Sequence, residues 1–158
     1  MIRAAKKEEA LILTRLSFKS KGYWNYPQKY FRVWQNELTI NQGYIEKNDV
    51  FVFELDGEVV GYYSLIEVLE DIEVDAVTIT KGVWLEHMFI LPQHIGIGIG
   101  KTMFNHLRRR CCQLGIRELG ILADPNAKGF YEKMGCEYKY EYPSTIKGRT
   151  TPYLQLKT

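Results

Sequence analysis

The segment running from Trp84 to Thr102 (WLEHMFILPQHIGIGIGKT) constrains this chain more than any other. A β-rich run, Val83 to Leu91, is stopped by Pro92, which cannot donate to a ladder. Three glycines at alternate positions follow, Gly96, Gly98 and Gly100. A helical pattern then extends from about Lys101 to Leu114, with Met103, Phe104, Leu107, Cys111 and Leu114 on one face and Gly115 as its stop. A strand therefore ends, side-chain bulk disappears, and a helix begins. Backbone N–H groups converge there, at the positive end of the helix dipole, and form a cradle suited to phosphate. A tight turn that binds nothing is the alternative, but three alternating glycines exceed what a turn needs.

The rest of the chain surrounds this unit with short elements. Ile2-Arg3-Ala4 reads as a brief strand, Lys6 to Phe18 as a helix, and Gln28 to Leu38 as a second helix with Pro27 at its first turn. Asp49 to Leu55 and Glu58 to Ile66 are β-rich and flank Asp56-Gly57, a strong hairpin signal. The acidic stretch Glu67 to Asp75 reads as an exposed loop or strand end. After the long helix come a strand at Arg117 to Leu122 and a short helix opened by Asp124-Pro-Asn and ending at Met134-Gly135. Cys136 to Tyr142 and Thr151 to Leu156 close the chain as an antiparallel pair. The order predicts one α/β domain over residues 1–158, with leading antiparallel strands and a β-α-β crossover in the middle.

Bulk properties narrow the class. The chain has 158 residues, 46% of them apolar, which suffices for one substantial core. Its net charge of +2 does not suggest a nucleic-acid-binding protein. Arg108-Arg109-Arg110 runs against this, but helical spacing sends consecutive residues in different directions, so the three are expected on a solvent face without forming one patch. No run approaches the roughly 18 apolar residues of a membrane span, and the charged N-terminus is not a signal peptide. Cys111, Cys112 and Cys136 lack the spacing of a disulfide framework or zinc site, which points to a reducing cytoplasm and to no metal.

Three phosphate-binding patterns can be compared with the glycine turn. Gly100-Lys101-Thr102 looks like the end of a Walker A loop, but that loop needs glycine where Ile95 stands. A dinucleotide fingerprint is G-x-G-x-x-G, and here the pattern is G-x-G-x-G. The segment instead resembles the acyl-CoA pyrophosphate loop of GNAT acetyltransferases, Q/R-x-x-G-x-G/A, a few residues after a strand-ending proline. Gly98 and Gly100 take the glycine places, and Ile95 stands where Arg or Gln is usual. Gln93-x-x-Gly96-x-Gly98 also satisfies the pattern one dipeptide earlier, although the spacing from the proline favours the later register. A second match makes the resemblance more specific. The run from Asp124 to Gly135 (DPNAKGFYEKMG) is similar to the later GNAT motif, an Asn leading to a Phe/Leu-Tyr-Glu-Lys-x-Gly helix. The two motifs lie one helix and one strand apart, as in that family, and the resemblance covers about Val50 to Tyr142.

The resemblance implies a mixed sheet with splayed middle strands flanked by helices, and an acetyl-CoA-dependent N-acetyltransferase. N–H groups around Ile95, Gly96, Ile97, Gly98, Ile99, Gly100 and Lys101 would hold the pyrophosphate, with Lys101 adding charge. Met88, Phe89 and Ile90 would offer backbone to the pantetheine arm, and Phe130 and Lys133 join the coenzyme-contacting set. Asn126 would bind a pantetheine amide or cap a helix, roles that are not exclusive. Glu86 is the leading general base, among apolar neighbours on the strand face shared by Trp84, Met88 and Ile90; a structural carboxylate is the other reading. His87, on the opposite face, ranks second. Tyr131 matches the family's proton donor to the leaving sulfur, and a core aromatic is its other reading.

The acceptor side is less specific. Tyr23, Trp24 and Tyr26 lead an aromatic region, continued by Tyr30, Phe31 and Trp34, that could hold a cation through π faces or simply be core. The acidic stretch could attract an amine. Small-molecule and peptide amines both fit, with neither nucleic acid nor membrane as partner, and the C-terminal strands could pair two subunits into a homodimer. A non-catalytic acyl-CoA-binding module is the alternative, although both Glu86 and Tyr131 are present.

Overall fold

Strands and helices both occur along the chain, and the longer ones bury apolar residues. The computed structural model describes residues 1–74 and 77–158. Its strands are β1 (Ile2–Ala4), β2 (Asp49–Leu55), β3 (Glu58–Val68), β4 (Ile72–Val74), β5 (Val77–Ile79), β6 (Gly82–Ile90), β7 (Glu118–Leu122), β8 (Glu137–Pro143) and β9 (Thr150–Lys157). Its α-helices are α1 (Ala10–Gly22), α2 (Gln28–Val33), α3 (Gln35–Leu38), α4 (Gln42–Lys47), α5 (Ile99–Gln113) and α6 (Lys128–Lys133). Seven strands form one mixed sheet in the order β1-β2-β3-β6-β7-β9-β8, and β4 and β5 form a separate hairpin. Contacts divide the chain into two compact units, residues 1–65 with 87–106 and residues 66–86 with 107–158.

In the first unit, β2 and β3 are joined by Asp56 and Gly57 at φ 51° and 79°. Both lie in the left-handed region, so the turn is the two-residue type whose twist matches its strands. Arg3 on β1 reaches Glu54 at 2.8 Å and Glu9 at 2.7 Å. Glu9 also accepts the Lys6 N–H at 2.8 Å and so closes the turn before α1. Leu13 and Leu16 of α1, Val50 and Val52 of β2, and Met103 and Phe104 of α5 are buried in the core. Gly61 on β3 is small because a Cβ there would stand 3.0 Å from Met103 Sδ and 3.1 Å from the Phe89 carbonyl.

In the second unit, β6 runs parallel to β7 through the pairs Val83–Leu119, Trp84–Gly120 and Leu85–Ile121, and Glu86 follows directly. Strand β9 is antiparallel to both β7 and β8. Val68, Val77, Trp84, Tyr142 and Tyr153 make a buried cluster. Burial pushes the Tyr142 hydroxyl up to about 12, with the Tyr140 hydroxyl contributing. The C-terminus of α5 closes as expected on Gly115, at φ 70°, where the Ile116 N–H reaches back to the Cys111 carbonyl at 2.9 Å.

Several boundaries differ from expectation. The first helix begins at Ala10, after a 3-10 turn at Lys7–Glu9, and continues to Gly22. The second breaks at Trp34 into α2 and α3, because the buried indole turns the chain there. Helix α4, capped by the Asn41 side chain accepting the Tyr44 N–H, lacked a strong apolar stripe and was not anticipated. Leu114 is 47% exposed, outside the apolar face assigned to it, because it lies beyond the last turn of α5. Arg108 is not on a solvent face: its guanidinium donates to the Met134 carbonyl at the end of α6. The acidic stretch contains the end of β3 and all of β4, with Glu67, Glu70, Asp71 and Glu73 exposed, while Asp75 lies outside the described residues. Among the described residues no helix is long and apolar enough to cross a membrane.

In the second unit Trp84 packs closely over Gly120. A Cβ at position 120 would lie 2.7 Å from the indole ring. The ring is rigid, and its Nε1–H is tied to the Thr80 carbonyl at 2.8 Å. Gly120→Ala is therefore expected to destabilise the protein by about 1–3 kcal/mol through overpacking, read by denaturant unfolding. An unchanged midpoint would show that the indole yields freely.

Candidate functional site

The glycine turn lies in the first unit. After Pro92–His94 makes a single 3-10 turn, Gly96 and Gly98 take φ of 85° and 93°. An added Cβ at either would meet nothing within 4 Å, so it is the left-handed backbone, not space, that asks for glycine here. The Thr102 N–H and hydroxyl both donate to the Gly98 carbonyl at 3.1 Å, which makes this the first turn of α5. The N–H groups of Ile99, Gly100 and Lys101 precede that bond, at the positive end of a 15-residue helix. Gly100 lies within the first turn. Lys101 is exposed, and Ile97, between the two left-handed glycines, is 64% exposed.

Met88, Phe89 and Ile90 at the end of β6 belong to the same unit and are half-buried. The Ile90 N–H makes one long hydrogen bond, 3.4 Å, to Ser20 Oγ of α1, and the Leu91 N–H donates to the Val60 carbonyl at 2.8 Å. Among the predicted acceptor-side aromatics, Tyr23 and Trp24 are exposed and meet edge to face at 4.7 Å. Tyr26 packs on Trp34 at 5.1 Å. A cation already sits on this group: Lys21 Nζ is 4.5 Å from the Trp34 ring and 5.5 Å from Tyr26. Trp34 is buried core.

His87 is buried in the first unit, and both its ring nitrogens are engaged. Nε2 lies 2.7 Å from the Glu37 carbonyl, which can only accept, so Nε2 carries the proton. Nδ1 of the neutral ring then accepts from Ser64 Oγ at 2.8 Å, and Ser64 accepts from the Tyr44 hydroxyl at 2.9 Å. The chain Tyr44–Ser64–His87–Glu37 is thereby ordered in one direction, a structural use of the residue ranked second as a base.

In the second unit, Glu86 is exposed, whereas apolar surroundings were expected. Trp84, two residues earlier on the same strand face, is buried, so this face opens to solvent between them while Leu85 and His87 on the other face stay buried. Asp124 caps the turn after β7: its Oδ1 accepts the Asn126 N–H at 2.9 Å and Asn126 Nδ2 at 3.0 Å. Asn126 is therefore not the cap itself. Tyr131 is buried on α6 against the Phe130 ring, 5.2 Å between centroids. Burial, and then the Cys136 thiol and the Asp124 carboxylate, hold its hydroxyl proton above the usual phenol range. The Cys136 thiol itself is pushed up to about 11 by burial, partly offset by Arg108. Lys133 is exposed on the last turn of α6, and Phe130 is half-buried. Sequence reasoning missed Asp124 as a cap, although Asp-x-Asn spacing is a signature of that turn. It also missed Arg108, for which helix periodicity alone gave no signal. Among the described residues no group of three or more His, Cys, Asp or Glu side chains could hold a metal ion.

A family profile for the acetyltransferase (GNAT) domain matches residues 46–137. The peptidyl-lysine N-acetyltransferase YiaC of Escherichia coli (strain K12) is 25% identical over 111 residues, which is 70% of this chain and 66% of that protein. The match thus spans just under two thirds of the curated relative. A GCN5-related N-acetyltransferase structure from Rhodopseudomonas palustris aligns with a TM-score of 0.77 at 16% identity, over 100% of this chain and 95% of that one. PaiA N-acetyltransferase from Thermoplasma acidophilum, solved in complex with coenzyme A, aligns with a TM-score of 0.75 at 16% identity, over 100% and 98% of the two chains. At such identities these structures establish the fold.

The His87 chain generates a test. His87→Leu strands the Glu37 carbonyl and the Ser64 hydroxyl, and is expected to cost about 1–3 kcal/mol in denaturant unfolding. Loss of turnover with stability unchanged would instead make His87 a base.

Proposed function

We propose, from the premise that this chain belongs to the GNAT acetyltransferase family, that it transfers the acetyl group of acetyl-CoA to a primary amine of a small molecule or peptide. The observation that carries this reading is the turn itself. Two left-handed glycines deliver the chain into the N-terminus of α5, with three backbone N–H groups ahead of its first helical bond. That donor set fits a pyrophosphate and needs no particular side chain. The coenzyme A held by one structural neighbour and the lysine named for the relative in Escherichia coli both support the choice of ligands. Residues 1–158 would act as one acetyltransferase domain, in the cytoplasm.

The coenzyme supplies an acyl group activated as a thioester. The N–H groups of Ile99, Gly100 and Lys101, with the Lys101 ammonium, hold its pyrophosphate, while backbone at Met88, Phe89 and Ile90 and the Asn126 amide hold its pantetheine arm. The long Ser20–Ile90 hydrogen bond is readily exchanged for one to a ligand. Glu86 takes a proton from the acceptor ammonium, because only the free amine has a lone pair with which to attack the acyl carbon. Its exposure lets the carboxylate meet a solvated amine and pass the proton to water. Tyr131 gives its hydroxyl proton to sulfur as the carbon–sulfur bond breaks. Its burial keeps that proton in place until the sulfur needs it. Tyr23, Trp24 and Tyr26 would line the approach of the acceptor.

Turnover of a panel of amines, followed by thiol release, tests the assignment. Tyr131→Phe and Glu86→Gln are each expected to lower kcat by about 10²–10⁴-fold, the usual span for a general acid or base. Binding of acetyl-CoA to Tyr131→Phe should be unchanged. Full turnover in Tyr131→Phe would remove that residue from the mechanism. Binding of acetyl-CoA without turnover of any amine would favour a non-catalytic module.

A further inference from the structure

The aromatic group on the acceptor side holds a cation of its own. Lys21, in the last turn of α1, carries its ammonium 4.5 Å from the Trp34 ring centroid and 5.5 Å from that of Tyr26. Tyr26 and Tyr30 meet Trp34 edge to face at 5.1 and 5.5 Å, so the three rings form one group. Ring faces attract a cation, and these already have one. A substrate ammonium on the same faces would meet a like charge. The neighbouring Ser20 Oγ accepts the Ile90 N–H at 3.4 Å, so this turn of α1 lies against the end of β6 assigned to the pantetheine arm. Charge on the surrounding helices also has one sign. Residues 10–36 contain Arg15, Lys19, Lys21, Lys29 and Arg32 and no Asp or Glu, although the whole chain has a net charge of only +2. Arg15, Lys19, Lys29 and Arg32 are exposed. The nearest carboxylates along the chain are Glu9, which is paired with Arg3, and Glu37. A surface so charged concentrates anions and repels polycations.

We propose that the acceptor carries a carboxylate close to its amine, and that Lys21 selects for it. This rests on the acetyl-transfer reading given above and adds the class of acceptor to it. A ring face attracts an ammonium without neutralising it, because the ring has no net charge. The aromatic group therefore fixes a positive charge of the protein's own on the acceptor side. The amine attacks the acyl carbon after losing its proton, so it is the carboxylate that this surface distinguishes. A small amino acid and a peptide with Asp or Glu beside the acceptor amine share that chemistry. A polyamine lacks it.

Two matched pairs of acceptors test this at low ionic strength, with acetyl-CoA and thiol release as the readout. One pair is 4-aminobutanoate and its carboxamide. The other is a lysine peptide flanked by Glu and the same peptide flanked by Gln, and spermidine serves as the polycation. The carboxylate-bearing member should have a kcat/KM about two- to fivefold higher per carboxylate, the worth of an exposed ion pair, through a lower KM at equal kcat. Added salt should shrink the preference. In Lys21→Met an unbranched apolar side chain still covers Trp34, but the charge is gone. The members of each pair should then react equally, and kcat/KM for spermidine should rise. Lys21→Arg should keep the preference, and melting temperatures read any loss of packing separately. A preference within the small pair alone, or within the peptide pair alone, supports the proposal and names the form of acceptor. Equal kcat/KM within both pairs, or turnover of neither pair while other amines react, would overturn the proposal. A preference that survives Lys21→Met would overturn the part given to Lys21. Turnover of no amine at all would instead overturn the transferase reading.

Discussion

Left-handed backbone at Gly96 and Gly98 is the constraint from which the functional reading follows. An L side chain pays a steric penalty in that region, and glycine does not. Two such residues, separated only by Ile97, let the chain turn from the 3-10 segment after β6 into α5. The first α5 amides then lie at the start of a long helix, where partial positive charge collects. A phosphate site made this way depends on backbone geometry. On the proposed reading, Ile95 could then stand where the family usually has Arg or Gln without loss of the backbone donors.

Strand β6 places adjacent side chains in different surroundings because they alternate between its faces. Trp84 anchors the strand: it lies against Gly120 too closely for any larger residue there, and its Nε1–H is tied to Thr80. Glu86 shares the face of Trp84 and is exposed, whereas His87 on the other face closes a directed chain of hydroxyls and a carbonyl. Adjacent titratable residues therefore stand in opposite surroundings. His87 is buried with both ring nitrogens engaged, and Glu86 is exposed.

Much of this was legible in the sequence. The Asp56-Gly57 hairpin, the strand–glycine–helix segment and the closing antiparallel pair were predicted because turn chemistry and periodicity act locally. The family was legible in two motifs at the right separation. Three features were not. The break of the second helix at Trp34 depends on tertiary burial of the indole, which overrides local propensity. The short β4–β5 hairpin has too few residues to show a period. The exposure of Glu86 and the inward bond of Arg108 depend on what packs beside them, and strand or helix spacing fixes only direction. The Asp124 cap was readable from Asp-x-Asn spacing, but the more specific family motif around Asn126 drew the reading elsewhere.

Calorimetric titration of the whole chain with acetyl-CoA, with ATP and NAD as controls, tests the central claim most directly. The account predicts binding of acetyl-CoA alone, since the turn matches neither a Walker A loop nor a dinucleotide fingerprint. Binding of ATP or NAD without acetyl-CoA would contradict it, and would mean that the helix N-terminus at α5 serves a different phosphate ligand.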